Sequence, residues 1–426
     1  MAAMGNGLAM LRRLLTSGSF RGAATFALGG AGFALGNIIL AGVLPPAQFG
    51  VLSLVMALMQ FGLSCGPLGM DVVVKRHRPR VTRALLGRVL GTALVAGGVI
   101  ALAASATYTL APVAIAATFL GAVLAAGNNT VAAVYQSRGL MGWALALSQG
   151  PNFVFLVLAV LALAFGIDSA GPVLAGVVAG YLLTNLVGWW RARRDQSQLA
   201  PLNGRLALRE ALASVSIGLS LQLLWQLERV AIPKLTSLDD LATYAVLAAI
   251  IGAPFRATQI GIAFTLIEKL RSARDAAAAR AVLRHELLVA AVIVAGAVGT
   301  VLLVSPLVLH WYLRDKYVIG PALMTVTIAV GLVRVCEGFT TTVITAFGDT
   351  AALARISALG WLGLLVGIGA AVVGSRFGLV GIVGGTFCGW LTLVTGGMLI
   401  ALKSYRARFA ALLAAEGANQ PLSGPA

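Results

Sequence analysis

The chain has 426 residues, of which 59% are hydrophobic and only 11% charged, and its mean hydropathy is +0.94. A soluble domain carries about 25% charge, so this composition excludes a soluble enzyme and indicates an integral membrane protein. The 31 Lys and Arg against 14 Asp and Glu give a formal charge of +17, an excess that in a membrane chain reads as topology and contact with anionic headgroups, with no nucleic-acid partner expected.

In chain order, apolar stretches of about 20 residues, the length that crosses hydrocarbon, predict twelve transmembrane helices. They fall over residues 22–43, 49–70, 89–110, 112–135, 143–165, 171–190, 211–234, 242–267, 287–309, 321–346, 356–374 and 379–402. Leu11-Arg12-Arg13 runs directly into the first, so no cleavable signal peptide is evident. Thr25, Gly29, Gly32 and Gly36 share a face of that helix, a pattern that fits close helix packing or a substrate path. The breaks between helices carry turn signals: Pro45-Pro46, Gly166-Ile167-Asp168, Gly320-Pro321, Gly348-Asp349 and Gly374-Ser375-Arg376.

The basic residues set the expected orientation. Loops on one side collect Lys75, Arg76, Arg78, Arg80, Arg83, Arg88, Arg138, Arg191, Arg193, Arg194, Arg205, Arg209, Lys269, Arg271, Arg274, Arg280, Arg284 and Arg355, together with both termini. The opposite loops hold Lys234, Arg314, Lys316 and Arg376, balanced by the acids Asp168, Asp239, Asp240 and Asp315. Both termini are therefore expected in the cytoplasm, in a multi-pass inner-membrane protein. The polar connection from Arg191 to Glu210 follows the sixth helix and divides the chain into two six-helix lobes, residues 1–198 and 199–426. The expected architecture is all-α, with the lobes around a central cavity. Leu44-Pro45-Pro46-Ala47-Gln48-Phe49-Gly50 before the second helix has a positional echo in Thr236-Ser237-Leu238-Asp239-Asp240-Leu241-Ala242 before the eighth. Such halves, related by an axis along the membrane normal, recur among transporters.

Ionisable groups at bilayer depth are costly and face a cavity or a partner. Five occur, all in the second lobe: Glu228 and Arg229 in the seventh helix, Arg256 in the eighth, Arg334 and Glu337 in the tenth. Steps of four, four and three place Gly218, Gln222, Gln226 and Arg229 on one stripe, expected to line water or substrate. Arg334 and Glu337, three apart, either neutralise each other or share a polar face with Thr341 and Thr345. Arg256 follows Pro254-Phe255 with no acid within ten residues. It must meet an acid on another helix, Glu228 or Glu337, or await an anion. The first lobe offers only neutral polar groups at depth, among them Asn37, Gln60, Asn128, Asn129, Gln149 and Asn152.

Cys65, Cys336 and Cys388, and the isolated His77, His285 and His310, form no metal-ligand spacing, and no metal or cofactor is expected. No GxxxxGK[ST] loop points to ATP hydrolysis. The predicted outer loops are short and poor in acid–base groups, which disfavours a membrane polysaccharide polymerase or ligase and any catalytic site.

Arg21 entering the first helix, Leu44-Pro45-Pro46-Ala47-Gln48-Phe49-Gly50, and Gly66-Pro67-Leu68-Gly69-Met70 leading into Lys75-Arg76 resemble the opening of polysaccharide transporters. These are the O-antigen and exopolysaccharide flippases of the multidrug/oligosaccharidyl-lipid/polysaccharide exporter superfamily. Glu228-Arg229 followed by Asp239-Asp240-Leu241-Ala242-Thr243-Tyr244 is similar to that family's seventh-to-eighth helix passage, with Ala242 where a glycine is usual. The resemblance implies alternating access and a lipid-linked oligosaccharide as cargo. It also implies glycosyltransferases and a polymerase as neighbours in cell-surface polysaccharide synthesis. It places Arg229 and Arg256 at the diphosphate and Arg21 at the cytoplasmic mouth. The candidate substrate-binding set is Arg256, Arg229, Arg334, Gln222, Gln226, Glu228 and Glu337, with Arg21, Asn37 and Gln60. The competing function is a cation-coupled multidrug exporter of the same superfamily.

Overall fold

The computed structural model describes residues 18–194, 204–273 and 275–418, with some side chains inside helices, Arg21 among them, outside the described set. Among the described residues there are thirteen α-helices and no strand. They are α1 Gly18–Val43, α2 Pro46–Cys65, α3 Met70–His77, α4 Arg83–Thr107, α5 Pro112–Ser137, α6 Met141–Phe165 and α7 Ala170–Arg194. The second half comprises α8 Gly204–Leu235, α9 Leu238–Ser272, α10 Ala276–Leu307, α11 Pro321–Phe347, α12 Thr350–Gly374 and α13 Gly378–Ala418. The twelve predicted spans correspond to the twelve long helices. The expected lobe boundary at residue 198 lies outside the described residues.

Local chemistry explains the boundaries. Proline stands at the first turn of α2, α5 and α11, where its missing N–H costs nothing. Thr82, Ser237, Asp275 and Asp349 cap α4, α9, α10 and α12 by accepting from backbone N–H groups three residues on. Gly166, at φ 64°, closes α6 in the left-handed conformation that glycine adopts without strain.

Several helices outrun their predicted ends. Asp239 and Asp240, read as loop acids, form the first turn of α9, and Arg280, Arg284 and Glu286 lie within α10. Hydropathy reports only the part of a helix in hydrocarbon, whereas backbone hydrogen bonding continues into the headgroup region. The second predicted helix ends early, at Cys65, because Gly66-Pro67 precedes a turn. The chain then forms α3, whose Met70, Val73 and Val74 are buried while Lys75, Arg76 and His77 are exposed.

Helices α1, α2 and α4–α7 pack chiefly on one another, as do α8–α13; α1, α2 and α3 meet α8 and α9 between the two groups. Each half has an apolar core. Leu54 and Leu58 of α2 enter that of the second half, and Ala242, Ala245 and Val246 of α9 enter that of the first. We call the end carrying Gly18, His77 and the start of α8 proximal, and the end carrying Leu44, Tyr108 and the 308–320 connection distal. The two echoing segments meet at the distal end: a Cβ on Gly50 would stand 2.2 Å from the Leu238 carbonyl oxygen, an approach only glycine permits. The exterior is apolar, with Phe165, Val292, Leu303 and Trp311 all exposed, as a lipid-facing surface requires.

Candidate functional site

Two faces of α8 carry polar groups. Gln222, Gln226 and Arg229 follow the stripe expected from the sequence, but its exposure is uneven. Gln226 is buried, and Gln222 reaches across to donate to the Gln60 backbone carbonyl of α2 at 3.4 Å. The other face carries Trp225 and Glu228, three apart and therefore neighbours on the helix surface.

Glu228 is 1% exposed. Its Oε1 accepts from Arg334 Nη2 of α11 at 2.6 Å and from Thr386 Oγ1 of α13 at 3.1 Å. The Arg334 guanidinium lies 4.5 Å from the Trp225 ring centre and 5.0 Å from that of Trp390, and the two indoles meet edge to face at 5.3 Å. Tyr244 of α9, itself buried, stands beside the same guanidinium. An ion pair, two indoles and a hydroxyl thus join α8, α11 and α13 in the interior.

The alternative pairing of Arg334 with Glu337 does not form. Arg334 turns toward α8, and Glu337, one helical step further on, faces α9. There Gln259 Nε2 donates to Glu337 Oε2 at 2.7 Å and Thr341 Oγ1 to Oε1 at 2.6 Å. A buried carboxylate needs several donors, and neutral neighbours supply them here.

Both acids considered as partners for Arg256 are consequently engaged elsewhere. Arg256 is exposed despite its mid-helix position, with its guanidinium 5.9 Å from the Trp225 ring centre. Its charged neighbours are Arg229 and Arg334, and Arg229 in turn neighbours Glu228, Arg334 and Tyr244. Arg229 and Arg334 therefore share the Glu228 carboxylate with Arg256 beside them, and among the described residues neither Arg229 nor Arg256 has a salt-bridge partner.

Polar residues of the first half act differently. Asn37 Nδ2 donates to the Phe33 carbonyl within α1, Asn128 Nδ2 to the Leu147 carbonyl and Asn129 Nδ2 to the Leu63 carbonyl. Asn152 Nδ2 donates to Gln149 Oε1. These are bonds within and between helices, the packing role such groups have in membranes. Gly29, Gly32 and Gly36 lie against Gln149, Leu156 and Phe155 of α6. The structure places the Asn37 amide in a bond within α1 and the Gln60 backbone carbonyl against Gln222, and Arg21's side chain lies outside the described residues.

Sequence spacing alone did not reveal Trp225, Tyr244, Gln259, Thr386 or Trp390. For Trp225 a usable signal existed, its place one helical turn before Glu228. Nothing in spacing points from α13 to α8, because that contact spans more than 150 residues.

No family model and no curated protein matches the chain. Solved structures do. One is a multidrug resistance MATE family transporter of the MOP superfamily in an inward-facing conformation (TM-score 0.61, 15% identity, 90% of this chain and 96% of that one). Another is a MOP superfamily transporter from Pyrococcus furiosus (TM-score 0.56, 16% identity, 94% and 98%). A third is the lipid II flippase MurJ in an inward closed conformation (TM-score 0.58, 12% identity, 93% of both chains). The chain is a polytopic membrane protein with the fold of these transporters.

Proposed function

We propose that the protein is a flippase that carries a polyprenyl-diphosphate-linked oligosaccharide across the cytoplasmic membrane by alternating access of two lobes, residues 1–198 and 199–426, for cell-surface polysaccharide synthesis. The observation that carries this reading is the group of Arg229, Arg256 and Arg334 with Glu228 as its one carboxylate, and with Arg256 exposed at mid-helix. Such a group attracts a polyanion, and planar guanidinium forks match phosphate oxygens. A polar headgroup then exchanges its water for protein donors while the prenyl tail stays in lipid. The resemblance read from the sequence points the same way, and one structural neighbour is named as a lipid II flippase. The asymmetry of basic loops assigns the proximal end to the cytoplasm.

A cation-coupled multidrug exporter is the second reading. It is favoured by the MATE transporters among the structural neighbours and by Glu337, a buried carboxylate hydrogen-bonded only by neutral groups. Export of lipid-linked glycan in cells separates the two. Under the flippase reading Arg256→Ala abolishes surface glycan at normal protein level, Arg256→Lys restores it in part, and efflux of cationic dyes is absent from the wild type. Dye efflux with unchanged glycan in Arg256→Ala establishes the exporter instead.

A further inference from the structure

The connection between α10 and α11 is folded in an unusual way. Residues Val308–Tyr312 form a π-helical turn, a wide geometry common at functional positions. Arg314 and Asp315 follow at φ 50° and 56°, two successive non-glycine residues in the left-handed region. That conformation is unfavourable for a residue with a side chain and persists only where its surroundings hold it. The turn is held from within by Asp315 N–H donating to the Leu309 carbonyl at 3.0 Å and by contact of His310 Nδ1 with Asp315 Oδ2 at 2.9 Å.

From the outside it is held by the other half of the molecule. Helix α1 ends at Val43 with its last carbonyls lacking intrahelical partners, a negative dipole end that favours a cation. The Lys316 ammonium donates to the Ala41 carbonyl at 3.0 Å and also to the Leu44 carbonyl. The Tyr317 hydroxyl donates to the Ala41 carbonyl at 3.1 Å and that of Tyr312 to the Ile39 carbonyl at 3.2 Å. Leu313 and Tyr317 are buried within the first half's core. Burial at this junction holds the Lys316 ammonium below the usual lysine range. Residues of the second half thus cap a helix of the first at the distal end. Tyr108 donating to the Val230 carbonyl at 2.7 Å closes the same end from the opposite direction.

We propose that residues 308–317 are a releasable strap that shuts the distal end of the bundle, with Lys316 as its closing contact on the C-terminus of α1. The bonds are side chain to backbone, so they break without disturbing either helix. The strained turn keeps its internal bonds when undocked but loses its contacts with the first half, which makes the strap two-state. Opening the distal end requires that Lys316 leave Ala41 and Leu44. The device does not depend on which substrate is carried.

The test uses full-length protein reconstituted in lipid vesicles, with Cys65, Cys336 and Cys388 replaced by alanine and spin labels at Asp168→Cys and Arg376→Cys. Both label sites are exposed distal turns on opposite halves. The distance distribution between labels reports the open and closed populations. Wild-type strap should give mainly the short distance. Lys316→Met should raise the open-to-closed ratio by about tenfold or more, the change that follows loss of a charge-assisted hydrogen bond. Lys316→Arg should stay near wild type, Tyr317→Phe should shift the same way by less, and Lys403→Met, at the proximal end, should shift nothing. Unchanged distances in Lys316→Met overturn the proposal, as does an equal shift in Lys403→Met. Should Lys316→Met fail to fold, an unshifted Tyr317→Phe overturns it as well.

Discussion

Removing the carboxylate of Glu228 perturbs the arginine cluster at its one point of compensation. In Glu228→Ala the Arg334 guanidinium, 14% exposed, loses its ion-pair partner while remaining between two indoles. Stranding a buried charge in this way costs about 3–5 kcal/mol. The Thr386 hydroxyl keeps the Val383 carbonyl as an acceptor, so its loss is small. Contact with Trp225 and Trp390 is present before and after the substitution and does not offset the loss. The net expectation is about 3–5 kcal/mol of destabilisation. Replacing both partners, Glu228→Leu with Arg334→Met, removes the charge together with its compensation and should cost under about 1.5 kcal/mol, because well-packed apolar replacements of a buried pair are near neutral. Reversible unfolding of purified protein in mixed micelles, with Glu228→Leu and Arg334→Met as the single variants of a double-mutant cycle beside Glu228→Ala, measures the difference. A coupling energy of about 3 kcal/mol is expected. If Glu228→Ala costs less than about 1 kcal/mol, or the two single effects simply add, the pair is not the buried tie described above.

Other consequences follow from single contacts. Gly50→Ala should destabilise by about 1–3 kcal/mol, read by the same unfolding assay, since its methyl would meet the Leu238 carbonyl oxygen at 2.2 Å and force α2 away from α9. Asp349→Ala should cost about 1 kcal/mol through loss of the α12 cap, and Asp349→Ser should recover most of it. Glu337→Gln keeps the site's shape but turns one acceptor into a donor facing Gln259. It should leave glycan export near wild type under the flippase reading and abolish proton-driven efflux under the exporter reading, which transport of each cargo into vesicles distinguishes.

The fold was largely legible in the sequence because hydrocarbon imposes its length on every span, and proline, glycine and capping residues mark the ends. Pro46, Pro321, Gly166, Ser237 and Asp349 all stand where their chemistry predicts. Helix extensions such as the first turn of α9 escaped, because charged residues beyond the hydrocarbon carry no hydropathy signal. The site was legible by residue type and less so by pairing. Placing Glu228, Arg229, Arg256, Arg334 and Glu337 at depth required only counting. Which acid meets which arginine depends on the rotation of α8, α9, α11 and α13 against one another, and no short-range spacing encodes it. The i, i+3 relation of Arg334 and Glu337 suggested a pair that tertiary packing overrides. Asn37 was a candidate by polarity alone, a property that serves helix packing equally well, and its amide bonds within α1. Lys316 passed as an outer-loop charge because its partners, Ala41 and Leu44, are backbone carbonyls more than 270 residues away.

The most direct test of the central claim is translocation of a fluorescent polyprenyl-diphosphate oligosaccharide in vesicles containing purified protein, with leaflet position read by chemical quenching. The account predicts that wild type moves the lipid, that Arg256→Ala loses at least tenfold in rate, and that inorganic pyrophosphate competes while cationic dyes do not. Equal rates for wild type and Arg256→Ala, or competition by dyes alone, would contradict it.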